Sequence, residues 1–151
     1  MNDPLITTTN LSRNFSMKAA ISQVDLQLHA GTLVGLVGPN GAGKTTLLNL
    51  LAGLLEPTLG QTIVLGNSSR NLSADQAQQV LYMGDRHQPP DYCRVEHLLA
   101  LQADASNSFD MALAVRLLAD RRLETNMRYG TLSKGQRRWV LATLALAAKP
   151  E

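Results

Sequence analysis

Cysteine is nearly absent: Cys93 is the one thiol among 151 residues. A single cysteine excludes an internal disulfide and a Cys-based metal cage, and it fits a reducing compartment. Long apolar runs are also missing. The longest nearly apolar stretch, Trp139 to Ala148, has ten residues, far short of the ~20 that cross a bilayer. The N-terminal MNDPLITTTN has no basic stretch followed by an apolar run, so the sequence predicts no signal peptide. Charge of one sign is lacking too. Fourteen basic and 12 acidic residues leave a net charge of +2, which makes no case for a nucleic-acid or polybasic membrane footprint. There is no internal repeat and no low-complexity segment. What remains is an ordinary soluble composition, 44% hydrophobic and 17% charged, long enough for one domain with a real core.

The apolar pattern alternates between two periods. Val24, Leu26 and Leu28 alternate with Gln23, Asp25 and Gln27, the period of a half-buried strand, and Ile6 to Phe15 reads as another strand. Leu33 to Val37 is a short apolar run that predicts a buried strand. Leu47, Leu48, Leu51, Leu54 and Leu55 then recur at helical spacing, with Pro57 as the predicted stop. Gly60 and Gly66 bracket a strand over Gln61 to Leu65. Ser73 to Gln79 predicts a short helix capped by Ser73, and Val80 to Met83 a buried strand. Helices follow from about Val95, over roughly Phe109 to Arg122, and from near Ser133. The last shows Val140, Leu141, Leu144, Ala145 and Ala148 on one face. Strands alternating with helices predict an α/β core with parallel strands. The consecutive helices over 95–148 predict a helical subdomain.

Gly38 to Thr46 reads GPNGAGKTT and matches G-x-x-x-x-G-K-[ST] through Gly38, Gly43, Lys44 and Thr45. Each residue type has a task in that pattern. Glycines let successive backbone N–H groups converge on phosphate oxygens. The helix that follows points its positive end at the same oxygens. Lys44 can reach the β- and γ-phosphates, and the Thr45 hydroxyl can ligate a bridging Mg²⁺. A plain glycine-rich turn would match by chance about once in a few hundred chains of this length, taking Gly near ~7% of residues.

Leu132 to Gln136 reads LSKGQ. Alone it is weak, because Ser133 and Gln136 also make a capping box, which explains both residues without a ligand. Together with the phosphate loop it changes weight. A phosphate loop followed much later by LSKGQ, at the head of a long apolar-faced helix, resembles the ATP-binding cassette (ABC) ATPase family. Phe15, with Ala20 and Ile21 after it, resembles the family's adenine-stacking aromatic. AGLLEPTLGQTIVLG, VLYMGD, VEHLLAL and LSKGQRRWVLATLALAAKPE are similar to the family's successive segments, so the resemblance covers nearly the whole chain.

The resemblance implies an α/β P-loop fold of ABC type, with an antiparallel β part over 1–31, a P-loop core over 32–85 and a helical subdomain over 86–148. These are parts of a single partial domain, 1–151, whose sheet is incomplete. It implies ATP and Mg²⁺ as cofactors. Phe15 and the loop residues Gly38, Pro39, Asn40, Gly41, Ala42, Gly43, Lys44, Thr45 and Thr46 would bind the nucleotide in cis. Ser133, Lys134, Gly135 and Gln136 would meet the nucleotide of a second, head-to-tail copy, either a homodimer or a paired ABC subunit. Thr45 and Asp85 would face the metal, an ungapped count putting Asp85 at the family's Q-loop position and a local shift putting Gln88 there. A transmembrane permease is the implied partner, with the chain peripheral on the cytoplasmic face of the membrane and no nucleic acid expected.

Three departures from the family pattern stand out. Lys134 occupies a position that is most often glycine. Phe15 replaces the more usual tyrosine, and stacking needs only the ring face. The resemblance also stops at Ala148–Glu151, where the family continues into its Walker B strand, catalytic Glu, D-loop and switch His. The expectation is a chain, fragment or truncated product, that binds ATP without hydrolysing it efficiently. A non-catalytic nucleotide-binding module and a soluble ABC protein are the competing functions.

Overall fold

The structure is a computed structural model, and it describes residues 3–84, 88–106 and 108–149. The chain divides into two compact units, Met1–Ala77 and Gln78–Glu151.

The first unit starts with a hairpin. Strands β1 (Ile6–Phe15) and β2 (Lys18–Leu28) pair antiparallel, with Phe15 opposite Lys18 beside the turn. β3 (Leu59–Val64) pairs with the other edge of β1, and β4 (Asn67–Ser68) with β3, giving the order β2-β1-β3-β4. Helix α1 (Lys44–Leu51) packs its buried Leu47 and Leu50 against Leu11 and Ile21 of the hairpin. Burying one such side chain contributes about 1.5–3 kcal/mol, so these four residues dock the helix on the sheet.

Gly60 shows how closely β1 and β3 approach. The β1–β3 register shifts between Thr9 and Ser12, and Gly60 sits at φ +76°. A Cβ there would lie 2.2 Å from the Asn10 carbonyl oxygen and 2.3 Å from that of Thr9. Gly60→Ala is therefore expected to cost about 3 kcal/mol, from positive-φ strain plus a backbone clash. Urea denaturation checks this: the midpoint should fall with the slope unchanged, and an unchanged midpoint would contradict it.

Several boundaries differ from the sequence expectations. α1 ends at Leu51, not at Pro57. Gly53 stops it, at φ +71° and so close to the Ser69 carbonyl that a Cβ would lie 2.1 Å from that oxygen. Leu33–Val37 and Val80–Met83 form no strand. A parallel strand takes both neighbours from distant segments rather than from a hairpin. Among the described residues neither stretch has one, and Leu33 and Val37 stand 101% and 92% exposed. The sheet of the described residues is accordingly antiparallel throughout.

Helix α2 (Ala74–Gln78) lies at the boundary of the units and carries the expected Ser73 cap. The Ser73 hydroxyl accepts from the Gln76 amide, and the Gln76 side chain accepts from the Ser73 amide. The second unit is built from α3 (Val95–Ala105), α4 (Met111–Ala119), a 3-10 turn (Tyr129–Thr131) and α5 (Lys134–Ala148). Val95, Leu99, Leu118, Val140 and Ala147 meet in its core around Tyr129. α4 is shorter than Phe109–Arg122 because Asp110 caps it, accepting from the Leu113 amide at 2.9 Å. That bond and the Lys149 ammonium at 3.1 Å hold the Asp110 carboxyl below its usual value of 3.8. Arg122, at φ +56°, closes the far end. The buried face of α5 is Val140, Thr143, Ala147 and Ala148, so the predicted Leu141 and Ala145 lie on its flank.

Candidate functional site

The glycine loop leads into α1, and its glycines answer to geometry. Gly41 and Gly43 take φ of +84° and +87°, a region that costs L residues strain. A Cβ on Gly43 would also lie 2.4 Å from the Ala20 carbonyl oxygen. Gly43 is the N-cap of α1 and offers no side chain to its first amides, which leaves them for a ligand. The Lys44 Nζ donates to the carbonyl oxygens of Gly38 and Pro39, at 2.7 and 2.8 Å.

Beside this loop lies a cavity of about 400 Å³. Asn40, Gly41, Gly43, Lys44, Thr45 and Thr46 line one side, and Phe15, Lys18, Ala19 and Ala20 of the hairpin line the other. Two lysines, Lys18 and Lys44, line it and no carboxylate residue does, an arrangement that suits an anionic ligand. Gly38, Pro39 and Ala42 belong to the loop without lining the cavity. The first two hold Lys44, and the Ala42 amide donates to the Pro39 carbonyl at 3.2 Å. Lys18 is a lining residue the motif search missed. Its place beside Phe15 follows from hairpin register, which no motif encodes.

Thr45 lines this cavity and is an exposed residue. A threonine hydroxyl is a ligand type that suits Mg²⁺, which keeps several waters and takes few protein ligands. Among the described residues no group of three or more His, Cys, Asp or Glu side chains could hold a metal. Asp85 lies outside the described residues. Gln88 belongs to the second unit, where its side-chain oxygen accepts a hydrogen bond from the Tyr129 hydroxyl.

The LSKGQ segment heads α5 in that second unit. Ser133 caps the helix in a complete capping box. Its hydroxyl accepts from the Gln136 amide at 3.3 Å, and the Gln136 side chain accepts from the Ser133 amide at 2.8 Å. Lys134 is exposed and lines a cavity of about 410 Å³ with Gln88, Leu132, Arg137 and Arg138. Gly135 has ordinary helical backbone, and a Cβ there would meet nothing within 4 Å. A helical glycine costs roughly 0.5–1 kcal/mol relative to alanine, so nothing in this unit's own packing calls for it.

Arg137 is a structural hub of this unit. Its Nε donates to the Leu132 carbonyl at 3.0 Å and its Nη2 to that of Gly130 at 2.7 Å. Its Nη1 meets the Asp91 carboxylate at 3.1 Å. The guanidinium lies over the Tyr129 ring, 5.3 Å from its centroid. Sequence reading missed this pair; the one available signal was a scarce aromatic four residues ahead of Ser133. Burial pushes the Tyr129 hydroxyl above its ordinary value of 10.0, against the pull of Arg137. A hydroxyl with a raised folded value stabilises the fold fully below pH 10.0 and loses that contribution as pH rises through the raised value. Denaturation midpoints should therefore fall less steeply above that pH in Tyr129→Phe than in wild type. Equal slopes would contradict the role.

A loop of this geometry at a helix start, with a cationic cavity beside it, defines a phosphate-binding P-loop protein. The chain matches the "ABC transporter" family model over residues 21–151, and it belongs to that family. It is 34% identical over 134 residues to a ribose import ATP-binding protein of Rhizobium etli, a match covering 89% of this chain and 24% of that one. It is 41% identical over 75 residues to an Fe(3+) ions import ATP-binding protein of Photobacterium profundum, covering 50% of this chain and 21% of the other. A solved ATP-binding subunit of an ABC transporter superposes with a TM-score of 0.82 at 26% identity, covering 97% of this chain and 63% of that one. The chain thus spans less than two thirds of the length of these three proteins. Its fold is the α/β P-loop fold of the ABC cassettes, with the antiparallel β part and helical part that the sequence predicts.

Proposed function

We propose that this chain is the ATP-binding part of an ATP-hydrolysing subunit that drives a membrane transporter. The observation that carries the reading is the cavity in which the Phe15 ring, two ammonium groups and the uncapped start of α1 meet. A nucleoside triphosphate presents a flat base at one end and a polyanion at the other, and this cavity offers a partner to each. Lys44 would exchange its two carbonyl bonds for phosphate oxygens, and the amides of the Gly38–Thr46 loop would complete the cradle. The Thr45 hydroxyl and Asp85 are the groups proposed to hold Mg²⁺, which when bound neutralises charge on the phosphates.

The LSKGQ segment would complete the site of a second copy. Ser133 and the first amides of α5 would close on the γ-phosphate bound by the partner's loop, with Lys134 adding a cation. Gly135, which the helix itself has no need of, leaves room for the phosphate to approach. Pairing and separation of the two copies would then move a permease that contributes the membrane spans. No helix among the described residues is long and apolar enough to cross a membrane. The proposed place of this chain, by its likeness to ATP-binding subunits of importers, is the cytoplasmic face, held there by that permease.

The residues lining the cavity include no general base. The 151-residue chain is expected to bind Mg·ATP saturably and to release no phosphate above background. Calorimetry and a phosphate-release assay on the same preparation test this. Absence of ATP binding would overturn the proposed function, and robust phosphate release would overturn the expectation that the groups lining the cavity bind the nucleotide without hydrolysing it.

A further inference from the structure

Phe15 is the last residue of β1 and is 47% exposed. It stands beside a turn in which Met17 is fully exposed and Ser16 takes φ +52°. A ring at the end of a strand, next to such a turn, needs a neighbour to hold one orientation. The neighbour is Arg13, two residues back on the same face of the strand. Its guanidinium carbon lies 4.8 Å from the Phe15 ring centroid. Phe15 lines the phosphate-loop cavity and Arg13 does not, so the guanidinium covers a part of the ring that the cavity leaves unused.

Arg13 is itself pinned. Its Nη1 donates to the Glu56 carbonyl at 2.9 Å. That segment is tied back to β1 on either side of Arg13, by the Thr58 amide on the Ser12 carbonyl at 2.8 Å and the Asn14 amide on the Thr58 hydroxyl at 3.0 Å. The Arg13 Nε is buried without an acceptor. Its desolvation is balanced, then, by the ring and the Glu56 carbonyl rather than by an ion pair at that nitrogen.

We infer that Arg13 is a positioning residue for the base end of the nucleotide: it fixes the Phe15 ring from behind so that the other face can stack on the base. This rests on the reading of the cavity as a nucleotide site. Arg13 touches no phosphate in this arrangement. Its influence therefore reaches only ligands that carry a base, and it passes through the ring. A cation on one face also draws electron density from the ring, which favours stacking of an electron-rich purine on the other.

The test is a set of titrations with Mg·ATP and with Mg·tripolyphosphate, a ligand that has the anion and no base. The proteins are wild type, Arg13→Met, Arg13→Lys, Phe15→Leu and the Arg13→Met/Phe15→Leu double variant. Arg13→Met should weaken ATP by about three- to tenfold and leave tripolyphosphate unchanged. Phe15→Leu should do the same, and Arg13→Met should add no further loss in the Phe15→Leu background. Arg13→Lys, which keeps the charge but not the planar fork that stacks and bonds Glu56 together, should fall between wild type and Arg13→Met. It also serves if Arg13→Met does not fold. Equal losses for both ligands would overturn the proposal, as would unchanged ATP affinity or an undiminished loss in the Phe15→Leu background. Failure of wild type to bind either ligand would overturn the nucleotide-site reading itself, a result distinct from all of these.

Discussion

Ser133→Arg is expected to abolish ATP-dependent dimerisation while leaving ATP binding by a single chain within about twofold of wild type, since Ser133 is not among the residues that line the phosphate-loop cavity. The Ser133 hydroxyl satisfies the Gln136 amide, and Gln136 returns the bond. The remaining first-turn amides of α5 have no intrahelical partner. Gly135 leaves that end open, since a side chain there would meet nothing. An arginine at the cap would fill the space in front of the helix and remove the serine's bonds. Losing the cap alone costs about 1 kcal/mol, which the core around Tyr129 should tolerate. Sedimentation velocity with a non-hydrolysable ATP analogue reads the dimer, and calorimetry reads the monomer. If the variant still pairs on adding the analogue, or binds ATP far more weakly as a monomer, the in-trans role is wrong. The capping box then accounts for the motif.

Lys44→Ala is expected to weaken Mg·ATP by roughly a hundredfold or more. The ammonium lies 2.7 and 2.8 Å from two carbonyl oxygens of the loop, neutral acceptors that a phosphate would displace by charge. Hydrogen bonds between charged groups are worth about 1.5–3 kcal/mol each, and two of them correspond to between two and four decades of affinity. Equal affinity in wild type and variant, with both folded by circular dichroism, would remove the phosphate loop from the account.

The two motifs were legible because each is local. Gly43 is required by a positive φ and by the Ala20 carbonyl pressing on it, and a pattern of residue types can carry such a demand. The Ser133–Gln136 box closes within one helical turn and needs nothing from the rest of the chain. Strands β1 and β2 were legible for a similar reason, since a hairpin pairs neighbours. Leu33–Val37 and Val80–Met83 were not, because apolar composition describes the burial a strand wants and says nothing of whether a partner lies beside it. Lys18 escaped because strand register brings it to Phe15 without any motif spacing, and Arg13 because the acceptor that pins it is the backbone carbonyl of Glu56, far along the chain. Arg137 escaped because its acceptors are mostly backbone carbonyls, at Leu132 and Gly130, and carbonyls leave no signature in a sequence.

The central claim is that the cavity between the Phe15 hairpin and the Gly38–Thr46 loop holds a nucleotide. It is tested most directly by amide and aromatic NMR shifts of the chain during titration with Mg·ATP. The account predicts saturating shifts at the amides of Gly41, Gly43, Lys44, Thr45 and Thr46 and at the Phe15 ring, all with one dissociation constant. Shifts confined to the residues around Lys134 and Arg137, with the Gly38–Thr46 amides unmoved, would contradict it.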